Sequence, residues 1–233
     1  MKKICIIPAR SGSKRLPGKN IKEFHGKPII SYSIELAIKS KLFNEIIVST
    51  DDSEIAEIAK KYGANVPFMR SQKNSNDYAT TYDVLEEVID FYKTKNLFFE
   101  YICCLYPAAP LIKEEFMINC YKQLLKNKNT TVFPALKFDY PILKAFSLED
   151  ENLNFLFPEN KTRRTQDTKI FYHDAGQFYW INTNKLLEHK EILTTDSFGL
   201  VIPSTYAQDI DCINDWMLAE IKFDYIKKNI NGN

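Results

Sequence analysis

Four cations fall close together near the start of the chain: Arg10, Lys14, Arg15 and Lys19. Ala9, Ser11, Gly12 and Ser13 stand among them, and the apolar run Ile4–Ile7 precedes them. Small residues let backbone N–H groups approach a ligand, and clustered cations offset several negative charges at once. That combination at the end of a buried strand suits a polyphosphate. It is not a P-loop. Gly12 and Gly18 are one residue too far apart, and Asn20 follows Lys19 where a magnesium-binding hydroxyl belongs. GxGxxG is also absent. The competing reading is a solvated basic turn.

A second constellation lies far along the chain, at Asp209-Ile-Asp211. On an extended segment the two carboxylates share a face and Ile210 points away. Beside a triphosphate they could hold Mg²⁺ and leave its other positions to phosphate and water. Asp211 alone could equally cap a following helix. Weaker candidates are Ser49-Thr-Asp-Asp52, read as a strand end or a helix cap, and Arg70, which could reach a base or a phosphate or be a lone surface arginine. His25, His173 and His189 lack metal-ligand spacing. His173, beside Asp174 and Gly176, is the one that invites a substrate role.

Positioning such groups takes a framework, and the hydrophobic pattern supplies one. Strands are expected at Lys3–Ile7, Glu45–Ser49, Asn65–Met69, Tyr101–Leu105 and Thr131–Leu136. Between them, Pro28 opens a helix with Ile30, Ile34, Ala37 and Ile38 on one face. Asp51 or Asp52 caps a second helix that Gly63 ends. Thr80 or Thr81 begins a third, and a fourth runs from about Lys113 to Leu125. This alternation predicts an α/β fold with a mostly parallel sheet between helices. Ligands in such sheets bind beyond the carboxyl ends of the strands. The first loop, Arg70, Thr80–Thr81 and Tyr106–Pro110 should therefore share a rim. The rhythm breaks over 137–174, which is aromatic and carries Arg163 and Arg164. This segment reads as an arm that packs on a second subunit or folds back on its own domain. Strands at Gly176–Ile181 and Leu200–Ile202 and a helix at Cys212–Lys228 close the chain.

Bulk properties narrow the function. With 233 residues, 45% hydrophobic, the chain is ordinary globular material for one domain. A net charge of +1 gives no broad basic surface for nucleic acid or anionic lipid. Five cysteines without CxxC spacing argue against a disulfide framework or a zinc site and suit a reducing cytoplasm. Only four apolar residues separate Met1-Lys-Lys from Pro8, too few for a secretory signal. No run approaches the roughly 20 apolar residues of a membrane span.

Taken together, Ile7-Pro-Ala-Arg-Ser-Gly-Ser-Lys-Arg-Leu-Pro-Gly-Lys-Asn20, Lys27-Pro28, Ile47-Val-Ser-Thr-Asp-Asp52, Arg70, Thr80-Thr81, Tyr106-Pro-Ala-Ala-Pro110, Lys144, Gly176 and Asp209-Ile-Asp211 resemble the cytidylyltransferases that activate nonulosonic, sialic-type acids as CMP-sugars. The resemblance spans nearly the whole chain. It implies a Rossmann-like nucleotidyltransferase fold, a homodimer with residues 137–174 as a dimerisation arm, and Mg²⁺ as cofactor. It implies that Arg10, Lys14 and Lys19 hold the CTP phosphates, with Ala9, Ser11 and Gly12 in the same loop. Asn20, Arg70 and Thr81 would surround the cytidine, and Asp209 and Asp211 would bind the metal. Arg10, Lys19 and Asp211 would carry the catalytic charge. The sugar acid would meet Tyr106, Lys144, Arg163, Arg164, His173 and Gln177. Sialic acid enzymes usually show glutamine at the Tyr106 position, and arginine and asparagine near His173. Both departures favour the branch that takes pseudaminic acid, a 5,7-diamino nonulosonate. N-acetylneuraminate, legionaminate or a deoxy-octulosonate remain alternatives, as does a CTP-sensing module without catalysis.

Overall fold

The computed structural model describes residues 1–150 and 152–230. In chain order its strands are β1 (Lys3–Pro8), β2 (Glu23–Phe24), β3 (Lys27–Pro28), β4 (Glu45–Ser49), β5 (Tyr101–Leu105), β6 (Thr131–Lys137), β7 (Phe146–Glu149), β8 (Asn152–Phe155), β9 (Tyr172–Asp174), β10 (Phe178–Asn182) and β11 (Phe198–Val201). The helices are α1 (Ile29–Ser40), α2 (Ser53–Lys61), α3 (Thr81–Thr94), α4 (Glu114–Asn127), α5 (Thr183–His189) and α6 (Ile213–Ile230).

The main sheet runs β11-β6-β10-β5-β1-β4, with β9 also pairing β6. β4, β1 and β5 are parallel, as are β6 and β11, whereas β10 and β9 run against their neighbours. The carboxyl ends of the parallel strands thus share one rim with the start of β10. Alternation along the strands divides the core between the two faces. Cys5, Ile7, Cys103 and Leu105 pack with Ile30, Ile34 and Met117. Ile4, Ile6, Ile102 and Cys104 pack with Leu85, Val88 and Leu186. All five cysteines are free thiols.

Two local signals resolve in a definite way. Asp52 is the cap of α2, accepting from the N–H groups of Glu54 and Ile55. Thr80 caps α3 in a reciprocal box with Asp83. The strand expected at Asn65–Met69 is absent as a strand. Its pairing shrinks to one parallel bridge, Asn65 to Ile47. Pro67 has no N–H to extend the ladder. Ile38, expected on the buried face of α1, is 43% exposed.

Between β6 and β10 the chain leaves the sheet. Phe138 N–H donates to the Phe171 carbonyl at 3.0 Å, closing the neck of the insertion. Its β7–β8 hairpin forms a separate two-stranded sheet with Phe146, Leu148 and Leu153 exposed. On re-entry, β9 pairs with β6 at Ala135–Asp174, and β10 pairs with it at Val132–Trp180. The re-entering side therefore carries three more residues than β6. That surplus, Ala175-Gly176-Gln177, bulges at the rim.

Candidate active site

The rim holds a cavity of about 510 Å³, with Arg10, Lys14, Arg15 and Lys19 on its wall together with Asp209 and Asp211. Two stretches nearly 200 residues apart in sequence thus meet. Ile210 explains how the acidic pair is held. It is 1% exposed and packs against Phe24, Ile29 and Trp216, which fixes the segment and leaves its neighbours facing the cavity. Asp211 does not cap α6. Its oxygens take Arg15 Nη2 at 2.7 Å and Lys19 Nζ at 3.4 Å. Asp215 serves the helix start instead, accepting from the N–H groups of Asp211 and Cys212. Lys19 Nζ also donates to the Ile210 carbonyl at 2.5 Å.

Burial, and then the nearby charge of Asp211, raises the pKa of Asp209. Gly176, at φ +63°, lies against it. A Cβ there would meet the Asp209 carboxylate at 3.2 Å. Two hard oxygen ligands in a setting that penalises their paired charge fit a divalent cation such as Mg²⁺. Among the described residues no three His, Cys, Asp or Glu side chains cluster as metal ligands, so phosphate and water would complete its shell.

The first loop is built differently from the expected cradle. Ala9 is buried and its N–H donates to Ser49 O at 2.9 Å. The Ser11 N–H and hydroxyl both donate to Asp51, at 3.0 and 2.9 Å. Ser13 N–H donates to Ser11 O at 2.9 Å. Gly12 has open space around it and does not line the cavity. The backbone donors of Ala9 and Ser11 are thus spent on Ser49 and Asp51, and that of Ser13 within the loop. The positive side chains are what face the cavity. Asp51, which reads from sequence as a possible cap, pins the loop.

A smaller lobe of about 210 Å³ adjoins at Pro8, Arg10 and Tyr106, and Arg70, Asp77 and Thr81 line it. Arg70 is 6% exposed, not a surface residue, and its Nε donates to Ser49 Oγ at 3.0 Å. Desolvation is the main influence on it and lowers its pKa. Thr81 Oγ1 lies 3.4 Å from the Tyr106 hydroxyl. Asn20 is buried and its Nδ2 donates to the Arg10 carbonyl at 2.9 Å, bracing the loop.

Another cavity, about 520 Å³, shares Asp209 and carries Lys137, His173, Asp174 and Lys222. His173 Nδ1 lies 2.8 Å from the Asp174 carbonyl oxygen. Gln177 departs from expectation. It is fully buried, and its Nε2 donates to the carbonyls of Ala175, Gly176 and Gln208. It ties the bulge to the Asp209 segment rather than facing a ligand. Lys144, Arg163 and Arg164 line none of these three cavities in the single chain. Asp77, Asp174, Tyr179 and Lys222 carry no sequence signal that would single them out. The Tyr179 hydroxyl donates to Asp174 Oδ2, and Lys222 Nζ donates to Ala207 O at 2.8 Å.

A family model described as cytidylyltransferase matches residues 4–228. The chain belongs to the cytidylyltransferase family. It is 42% identical over 224 residues to a pseudaminic acid cytidylyltransferase of Campylobacter jejuni, covering 96% of this chain and 97% of that one. It is 32% identical to a CMP-N,N′-diacetyllegionaminic acid synthase of Legionella pneumophila, covering 94% and 95%. Among solved structures it resembles a CMP:2-keto-3-deoxy-manno-octonic acid synthetase complexed with CTP. That likeness has a TM-score of 0.70 at 16% identity over 98% and 100% of the two chains, and it concerns the fold. The mixed, mostly parallel sheet flanked by helices is thus a nucleotidyltransferase fold of this family.

Proposed function

We propose that the chain joins CTP to pseudaminic acid, giving CMP-pseudaminic acid and pyrophosphate. The observation that carries this is the single cavity in which four cations and two carboxylates face one another. In this reading the triphosphate lies against Arg10, Lys14, Arg15 and Lys19, and the cytidine enters the lobe lined by Arg70 and Thr81. The acceptor occupies the adjoining cavity with Lys137, His173 and Lys222, whose positive or ionisable groups suit a sugar carboxylate. Its anomeric hydroxyl attacks the α-phosphorus in line and yields its proton to a phosphate oxygen or solvent, and pyrophosphate departs on the opposite side. Catalysis is then a matter of holding reactants and offsetting charge on the leaving oxygens, which the loop cations do. Asp209 and Asp211 would hold Mg²⁺, which when bound neutralises phosphate charge.

The names of the relatives and the Tyr106 and His173 positions favour pseudaminic acid over legionaminic or N-acetylneuraminic acid. The exposed apolar hairpin supports a homodimer through residues 137–174, in which Lys144, Arg163 and Arg164 would reach the partner's site.

The test is pyrophosphate release with CTP and a panel of nonulosonic acids. Turnover highest with pseudaminic acid is expected. Release with no member of the panel would leave a sensor. Asp211→Ala is expected to fold and to lose roughly 10²- to 10³-fold in turnover, and Arg10→Ala to lose a comparable factor in kcat/KM for CTP. Full activity in either variant would overturn the assignment of that residue.

A further inference from the structure

The cations of the first loop are not waiting bare for a phosphate. Arg10 Nη1 lies 3.1 Å from Asp77 Oδ1, and Lys14 Nζ lies 2.5 Å from Asp77 Oδ2. Arg10 Nη1 also donates to the carbonyl of Asn76 at 2.9 Å. The segment that presents these acceptors is stiffened from within. Asn76 Oδ1 accepts from the N–H groups of Tyr78 and Ala79, at 2.8 and 3.0 Å. One carboxylate thus bridges two cations with one oxygen on each, as two oxygens of a phosphate would. Its charge is held there by the same partners, and the bond to Lys14 leads in lowering its pKa.

We propose that Asp77 is an internal anion that occupies Arg10 and Lys14 and that the CTP triphosphate must displace. This rests on the reading that those two cations bind the phosphates. Two consequences follow from one competition. CTP binds more weakly than the four cations alone would allow. Pyrophosphate leaves more readily, because Asp77 takes its cations back as it goes. The pairs are solvent-exposed, and exposed pairs are individually weak. Asp77 therefore adjusts nucleotide affinity without blocking the site.

The experiment measures CTP binding by calorimetry, and pyrophosphate product inhibition, in the full-length chain carrying Asp77→Asn, with Asp77→Ala as a second variant. Both changes lie on an exposed loop, and thermal melts check folding. The expected result is CTP affinity higher by about three- to tenfold at low salt, with pyrophosphate inhibition strengthened alike and both effects shrinking at high salt. Cytidine affinity should not rise with it. Unchanged or weakened CTP binding would overturn the proposal, as would weakened cytidine binding, which would make Asp77 a contact for the base. Arg10→Ala separates the two levels. If it weakens CTP while Asp77→Asn does not tighten it, only the competing-anion role fails. If Arg10→Ala leaves CTP affinity unchanged, the phosphate assignment fails and this proposal with it.

Discussion

Asp209 is held under opposing demands. Its burial and the neighbouring charge of Asp211 favour the protonated carboxyl, whereas a metal needs the carboxylate. A raised pKa means the folded chain holds this proton more tightly than the unfolded chain does. In metal-free protein the associated stability is present at low pH and is lost as pH rises through the folded pKa of Asp209. Asp209→Asn removes that penalty and the proposed metal ligand together. The variant is therefore expected to melt higher than wild type in chelator at neutral pH, while activity falls by roughly 10²-fold or more. Thermal melts with and without Mg²⁺ check this. Equal melting in chelator would show that the charge is not the burden described, and wild-type activity would show that the carboxylate is not needed for catalysis. Such a trade of stability for function is common at catalytic sites.

At the scale of elements, the bulge between β9 and β10 does most to place the chemistry. Three surplus residues push Gly176 against Asp209, and Gln177 ties the bulge to the carbonyl of Gln208. Gly176 is required twice over, for its φ of +63° and for the 3.2 Å approach a Cβ would make to the carboxylate. Gly176→Ala is expected to cost about 1–2 kcal/mol in stability from the left-handed backbone alone. It should also lower turnover by moving Asp209. Denaturant melts and steady-state rates measure the two effects, and a variant with wild-type turnover would remove the bulge from the mechanism. This bulge was not legible in the sequence, where Gly176–Ile181 reads as a plain strand. Strand periodicity reports which residues alternate, but not where a partner strand runs short. Glu45–Ser49 and Tyr101–Leu105, by contrast, stand as read. Glu45–Ser49 lies between the left-handed end of α1 at Lys41 and the Asp52 cap of α2, which leaves little choice of boundary.

The whole molecule raises the question of the insertion. Its hairpin exposes Phe146, Leu148 and Leu153, and Leu156 beyond it is 59% exposed. A two-stranded hairpin with an exposed apolar face is marginal alone in water. If a second copy covers it, Leu148→Glu should shift the sedimentation coefficient from dimer toward monomer. The assignment of Lys144, Arg163 and Arg164 to a neighbour's site then requires activity to fall in step. A wild-type chain that sediments as a monomer at working concentration would exclude the arm from dimerisation. On the described residues no helix is long and apolar enough to cross a membrane.

The sequence by itself determined the chemistry available: the cations of the first loop, the Asp209-Ile-Asp211 pair, the alternation that makes an α/β sheet, and the family. These are local properties, set by residue type and short-range spacing. Tertiary structure decided which groups meet and which are already engaged. It brought Arg10 and Asp211 to one cavity, turned Gln177 inward, spent the N–H groups of Ala9 and Ser11 on Ser49 and Asp51, and set Asp77 between Arg10 and Lys14. The reason is physical. A donor or a charge is useful to a ligand only if no nearer partner holds it, and partners distant in sequence are chosen by the packing of the sheet.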